Sequence, residues 1–391
     1  MAKISRIGAR QILDSRGKYT VEVSLSMSDG QEVTSSVPQG KSTGSREARA
    51  IEAGRAARNV EKIIGPRLKG RNPLGQREID EFLIKLDGTP LKKRLGANAI
   101  LGTSMAVARA GALAKKVPLW RHLRSLSGLS VPRGAAPRLY INVINGGLHA
   151  GNNLDFQEYL VIPKAKTIAE SVRIGTAVYH SLGSYLAKAK GKGALNIGDE
   201  GGYAPDFKNN AEPFAILKKV VRSLKLDKKI DFGMDAASSG VGISDKKLAG
   251  LYVRMRKEFN LFYLEDPFGE NNFSGFAEIH KLFGAGVLVA GDDLTTTNTA
   301  RMRLAEANRS VNAVIIKPNQ IGTVGEALDA VRLARKFGWA VVSSHRSGET
   351  NDDFIADFAY SVGADGLKLG APARGERVAK YNRLLEIESE K

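Results

Sequence analysis

Between Val21 and Leu25 apolar and polar residues alternate strictly, with Val21, Val23 and Leu25 on one parity, and the run closes on Asp29-Gly30. Alternation that ends in a tight-turn dipeptide predicts an antiparallel hairpin with one buried face. The period then lengthens. SREARAIEAGRAARNVEKIIG (45–65) and the Ala-rich NAILGTSMAVARAGALAKKV (98–117) both predict helices, and the Gly, Ser and Pro of SLSGLSVPRGAAP (125–137) suit a linker. A small α+β domain over residues 1–132, followed by a second domain over 133–391, is the organisation this predicts.

Past the linker the texture changes. KIDFGMD (229–235), LFYLEDP (261–267), VLVAGDD (287–293), AVIIKP (313–318), WAVVSSH (339–345) and GLKLG (366–370) recur at roughly 25-residue intervals. Short, nearly continuous apolar runs at that spacing predict parallel strands covered on both sides, the α/β class. Each strand also finishes on a polar group: Asp235, Glu265, Asp292, Lys317, His345 and Lys368. In a (β/α)₈ barrel the carboxyl ends of the strands converge on one face, so six such endings predict a shared site there. A scatter of loop charges or a carboxylate–Lys/Arg network is the plainer alternative.

The chemistry of that set is specific. Asp235, Glu265 and Asp292 offer three hard oxygen donors, which suit Mg²⁺ better than Zn²⁺. Lys317 closes an apolar strand, where desolvation beside a dication would lower its pKa toward the range of a general base. Glu200 in NIGDEGGYAP and Glu158 in DFQEYLVIP are expected on earlier strands. A carboxyl facing Lys317 across the mouth is a candidate acid, and together the groups describe proton abstraction next to a carboxylate, with a leaving group departing from the adjacent carbon.

Bulk properties narrow the reading without replacing it. At 391 residues, 42% hydrophobic and 26% charged, the chain can bury a large core. No apolar run approaches the roughly 20 residues that span a bilayer, and no signal-peptide-like segment opens the chain, so a cytoplasmic location is expected. With no cysteine, thiolate metal sites and Cys nucleophiles are excluded. The net charge of +18 would attract polyanions, but the basic residues are dispersed through helical text. An anionic small substrate is therefore expected, and nucleic acid is not expected as a primary ligand.

One motif points elsewhere at first sight. VPQGKSTGS (37–45) contains Gly40-Lys41-Ser42-Thr43, the end of a nucleotide-binding P-loop. The signature's first glycine would fall at Ser35, however, and Pro38 removes an amide donor from the cradle.

The motifs DSRGKYTVEV, LGANAILGTSMA, NVINGGLHAGN, FQEYL, GDEGGYAP, EDPF, GDDLTTTN, IIKPNQIGT, SSHRSGET and LKLGAPARGER resemble those of the enolase family, over nearly the whole chain. That resemblance implies a small N-terminal α+β domain on an atypical β₂α₂(βα)₆ TIM-like barrel, usually as a homodimer. The implied activity is the reversible dehydration of 2-phospho-D-glycerate to phosphoenolpyruvate in glycolysis and gluconeogenesis. By motif, Asp235, Glu265 and Asp292 would hold one Mg²⁺. Ser42 would help hold a second that arrives with substrate. Lys317 would be the base and Glu200 the acid, with Glu158 and His149 beside the leaving group. Gln157, His345, Arg346, Ser347 and Lys368 would bind substrate, Arg346 and Ser347 at its phosphate and Lys368 at its carboxylate. The motif at 37–45 then becomes a mobile loop over the site rather than a nucleotide cradle.

This chain departs from the pattern in places. Its loop reads Pro38-Gln39-Gly40-Lys41-Ser42-Thr43-Gly44 where Pro-Ser-Gly-Ala-Ser-Thr-Gly is usual, so Lys41 would either add a phosphate contact or compete with the second Mg²⁺. A related enzyme acting on another phosphorylated hydroxy acid, or a basic-surface binding protein that has lost catalysis, are the alternatives.

Overall fold

The computed structural model describes residues 2–41, 43–132 and 134–390. The chain opens with a three-stranded antiparallel sheet, β1 (Ile4–Leu13), β2 (Tyr19–Met27) and β3 (Glu32–Ser36). The hairpin read from Val21, Val23 and Leu25 is β2–β3, and all three side chains are fully buried. Behind the sheet lies the helix Ala97–Ala114, buried on nearly every side, which explains its run of Ala and Gly: only small side chains let it approach the sheet.

The preceding helix starts later than its periodicity predicts, at Ala53 rather than near residue 45. Residues 45–47 form a turn, and 48–52 stay out of the helix because their backbone bonds elsewhere: the Ala48 amide donates to the Gln320 carbonyl at 2.8 Å and the Arg49 amide to that of Leu91 at 2.7 Å. Glu52 then caps the helix by accepting from the Gly54 and Arg55 amides at 2.6 and 2.7 Å.

The rest of the chain forms a closed eight-stranded barrel, in the order β10-β11-β4-β5-β6-β7-β8-β9. Its strands are β4 (Arg138–Asn145), β5 (Glu158–Pro163), β6 (Ile230–Asp235), β7 (Leu261–Glu265), β8 (Leu288–Gly291), β9 (Ala313–Ile316), β10 (Ala340–Ser344) and β11 (Gly366–Gly370). β5 runs antiparallel to both neighbours, and two long helices, Ile168–Lys190 and Glu212–Ser223, separate it from β6. From β6 onward strand and helix alternate, so the α/β barrel is of the β₂α₂(βα)₆ type. Among the described residues no helix is long and apolar enough to cross a membrane.

Strand parity explains how the barrel presents chemistry. Tyr140, Leu160, Tyr263, Ala290 and Ile315 belong to one buried interior cluster. Side chains alternate faces with period two, so the residue two positions nearer the mouth also points inward. That rule places Asn142, Glu158, Glu265, Asp292 and Lys317 in the next interior layer. Lys368 lies two residues beyond Gly366, where a Cβ would stand 2.3 Å from the Tyr140 ring, so only glycine admits that ring. Because β5 is reversed, its first residue, Glu158, stands at the same end of the barrel as the last residues of the parallel strands.

Candidate active site

The mouth of the barrel holds a polar cavity lined by Glu158, Glu200, Asp235, Asp292, Lys317 and Arg346 among others. The structure thus gathers the strand-end groups in one place. Their arrangement differs in detail from three carboxylates converging on a point. Lys368 is buried, with its Nζ 3.1 Å from Glu158, 3.2 Å from Asp235 and 2.8 Å from Glu265. Lys317 pairs with Asp292, whose other oxygen accepts from Gln320 Nε2 at 2.8 Å. Two ammonium groups therefore sit among the carboxylates.

Electrostatics follow from that interleaving. Burial pushes Glu265 up to about 8, with Asp235 adding to the effect, and Asp235 itself rises to about 6. For Asp292 burial acts in the same direction, but Lys317 and Arg346 outweigh it and hold the carboxyl below its ordinary value. Lys317 departs from expectation. Burial pulls its pKa down, yet the Asp292 carboxylate more than compensates and lifts it above the usual lysine value. Desolvation alone does not make this lysine a base; its carboxylate partner must first be neutralised.

Opposite lie His149, Glu158 and Glu200, each offering a ligating atom within 4.8 Å of the others. Glu200 sits in a turn rather than on a strand, because Gly201, at φ +86°, reverses the chain just after it. Asn142 Nδ2 donates to its Oε2 at 2.9 Å, and His149 Nδ1 and His345 Nε2 lie 3.3 and 3.7 Å from its Oε1. The two carboxyls are pushed apart. Burial and the nearby Glu200 raise Glu158 to about 8, whereas His149, His345 and Arg377 overcome the burial of Glu200 and hold it well below the carboxylate range. Of the two, Glu158 is the carboxyl driven toward the protonated form and Glu200 the one driven toward the carboxylate.

The phosphate-side groups come from the segment after β10. Arg346 is buried and held by Glu47, whose oxygens accept from Nη1 and Nη2 at 2.9 and 3.2 Å. Ser347 Oγ accepts from the Lys41 amide at 2.7 Å, and Gln157 is buried in the cavity wall. Ser42 lies outside the described residues. The Lys41 ammonium pairs with Asp199 at 2.9 Å, at the edge of the cavity. Sequence reading missed Glu47, Gln320 and Arg377. Each acts on the site through a partner far along the chain, and no local pattern marks such a pairing.

The donor set fits a divalent metal. Its oxygens are hard, among the described residues Glu158 Oε2 and Glu265 Oε1 are buried without a hydrogen-bond partner, and burial with mutual repulsion raises Glu265 and Asp235 despite Lys368. Among the described residues the groups whose ligating atoms lie within 4.8 Å of one another are His149, Glu158 and Glu200, and Asp266, Asp292 and Asp293.

A β₂α₂(βα)₆ barrel that gathers lysines and metal-compatible carboxylates at the carboxyl ends of its strands belongs to the class of barrel enzymes with their chemistry at that face. The family models described as the enolase C-terminal TIM barrel domain match residues 135–242 and 241–391, and the enolase N-terminal domain matches residues 4–123. The chain is 42% identical over 416 residues to the enolase of Methanopyrus kandleri, covering 100% of this chain and 96% of that one. It is also 42% identical over 410 residues to the enolase of Methanocaldococcus jannaschii (99% and 95%) and 40% identical over 427 residues to that of Solanum lycopersicum (100% and 96%). The chain belongs to the enolase family, and its activity is that of a carbon–oxygen lyase, phosphopyruvate hydratase.

Proposed function

We propose that Lys317 removes the C2 proton of 2-phosphoglycerate and that the Glu158–Glu200 pair, with His149, manages the departing C3 hydroxyl. The observation that carries this reading is the placement of Lys317 and the carboxyl pair in the walls of one cavity. Asp235, Glu265 and Asp292 would hold one Mg²⁺, and Ser42 would contribute to a second that arrives with substrate. When bound, the metal supplies positive charge against the enolate that develops at the carboxylate.

The remaining steps belong to the chain's own residues. Lys317 gives up its proton once Asp292 is neutralised, because that carboxylate is what lifts its pKa. Lys368 is a cation for the substrate carboxylate. Arg346, oriented by Glu47, and Ser347 take the phosphate, with Gln157 and His345 completing the wall. Glu200 stands next to the leaving group as a carboxylate, and the proton that the hydroxyl needs is stored on Glu158 in the same cluster. Division into residues 1–132, which carry the covering loop, and 133–391, which carry the site, accompanies this reading. A homodimer is also proposed. Leu13 and Tyr19, 58% and 64% exposed, pair across β1 and β2 and leave an apolar spot on the N-terminal sheet.

Lys317→Ala should abolish exchange of the C2 proton in deuterated buffer and lower kcat by at least about 10²–10⁴-fold, the usual contribution of a positioned base. Glu200→Gln should retain exchange and block dehydration. Full turnover in both variants would refute the assignment.

A further inference from the structure

Arg377 lies on the C-terminal helix Gly375–Ser389, outside the cavity lining, yet it is fully buried. Its Nη1 lies 2.5 Å from His345 Nδ1 and donates to the Arg346 carbonyl at 2.6 Å. Its Nη2 donates to the Ser347 carbonyl at 2.7 Å and the Asp199 carbonyl at 3.2 Å. One guanidinium thus ties the segment after β10 to the turn that carries Glu200.

A guanidinium has five N–H donors and no acceptor. The short contact to Nδ1 therefore requires that nitrogen to carry a lone pair, and the ring proton of a neutral His345 must sit on Nε2. Burial holds His345 in the neutral form, well below the usual histidine range. Its Nε2 is buried, makes no hydrogen bond among the described residues and lies 3.7 Å from Glu200 Oε1. The opposite tautomer would aim a lone pair at a carboxylate and an N–H at a cation.

We propose that Arg377 is a positioning residue for the dehydration step: it fixes His345 as the Nε2–H tautomer, so that the imidazole presents a donor to Glu200 and to the leaving oxygen beside it. The link to dehydration rests on the assignment of Glu200 given above, whereas control of the tautomer does not. Tautomer control by a fixed partner is an established way of setting imidazole function.

The test uses protein labelled with ¹⁵N-histidine, whose five histidines give few ring signals. Long-range ¹H–¹⁵N correlation at neutral pH, with His345 identified by its loss in His345→Gln, should show Nδ1 unprotonated and Nε2 protonated. Arg377→Lys, which keeps a donor-only group, should preserve that pattern. Arg377→Met should shift it toward Nδ1–H and slow dehydration at least tenfold, within the about 10²–10⁴ that a positioned acid contributes, while C2 exchange changes far less. An Nδ1–H signal in the wild type would overturn the proposal, and that spectrum decides even if Arg377→Met fails to fold. So would an unchanged tautomer in a folded Arg377→Met. A tautomer switch with exchange and dehydration falling together would uphold control of the imidazole and overturn the assignment of Glu200 to the leaving group.

Discussion

The barrel mouth and the loop over residues 37–45 both contribute to one cavity, but they are built in opposite ways. At the mouth, strand parity places Glu158, Glu265, Asp292 and Lys317 one layer above a packed apolar cluster, and Lys368 alone is held by three carboxylates. The loop rests on the barrel through polar contacts. Gln39 and Gly348 exchange backbone hydrogen bonds at 2.8 and 2.9 Å, Asn319 Nδ2 donates to the Pro38 carbonyl at 3.1 Å, and Lys41 reaches Ser347 and Asp199. Groups of the first kind lose several kcal/mol when a partner is removed, because a buried charge is stranded. Contacts of the second kind exchange protein for water at little net gain, so each holds the loop only weakly.

Glu47 is where the two regions meet, so breaking it should have the largest effect. It sits just past the loop, is buried, and holds Arg346 through both guanidinium nitrogens while its Oε1 accepts from the Gly44 amide at 3.0 Å. Glu47→Ala should cost about 3–5 kcal/mol, the range for removing one partner of a buried ion pair. It should also raise the substrate KM, since Arg346, proposed above to take the phosphate, loses its anchor. Urea unfolding and steady-state kinetics check both. A loss under about 1 kcal/mol would put Glu47 with the loop rather than with the mouth.

The same contrast governs what was legible in the sequence. Strand-end groups could be read because period two and a strand boundary suffice to aim a side chain inward, and Asp235, Glu265, Asp292, Lys317 and Lys368 all arrive as that rule requires. Glu200 was readable as a residue but not as a position, since its turn depends on Gly201 and on contacts from Asn142 and two histidines. Glu47 and Arg377 were invisible: their partners lie 299 and 32 residues away. The late helix start at Ala53 has a similar origin, because tertiary hydrogen bonds to Gln320 and Leu91 outweigh the local periodicity of residues 45–52. How the lysines interleave with the acids also follows from packing across the barrel, which no single strand encodes.

Charge crowding at the mouth makes a second, smaller prediction. In metal-free protein Glu158 and Glu265 have folded-state pKa values of about 8, above the ordinary 4.5. A raised acid binds its proton more tightly when folded, so its contribution is complete below about 4.5 and is lost as pH rises through about 8. Asp292 and Glu200 have the opposite sign, but their depressed values place their loss below pH 4.5. Lys317 and Lys368 lose theirs above 10.5. Between pH 5 and 8 the raised Asp235, Asp266 and Asp293 act in the same direction as this pair, whereas the depressed, buried His122 and His345 oppose it below about 6.5, so Tm in EDTA should fall most clearly as pH rises from 6.5 to 8. Saturating Mg²⁺ should reverse the slope, because the ion competes with those protons. A Tm in EDTA that climbs steadily from pH 5 to 8 would contradict the crowded, proton-sharing mouth.

Lys41 tests the other side of the comparison and should give the smallest effect. Its ammonium is the loop's only ionic tie among the described residues of 37–45, and it pairs with Asp199, directly before Glu200. Both side chains are partly exposed, at 41% and 25%, so the pair contributes about 0–1 kcal/mol and less at high salt. Lys41→Ala should leave unfolding nearly unchanged. If the pair holds the loop down, the variant should open more readily, which raises the substrate KM modestly and flattens its dependence on ionic strength. Lys41→Ala and Asp199→Asn should then have non-additive effects on KM, because each removes the same contact. Additive effects would mean that Lys41 acts on the phosphate itself and that Asp199 only parks it between turnovers.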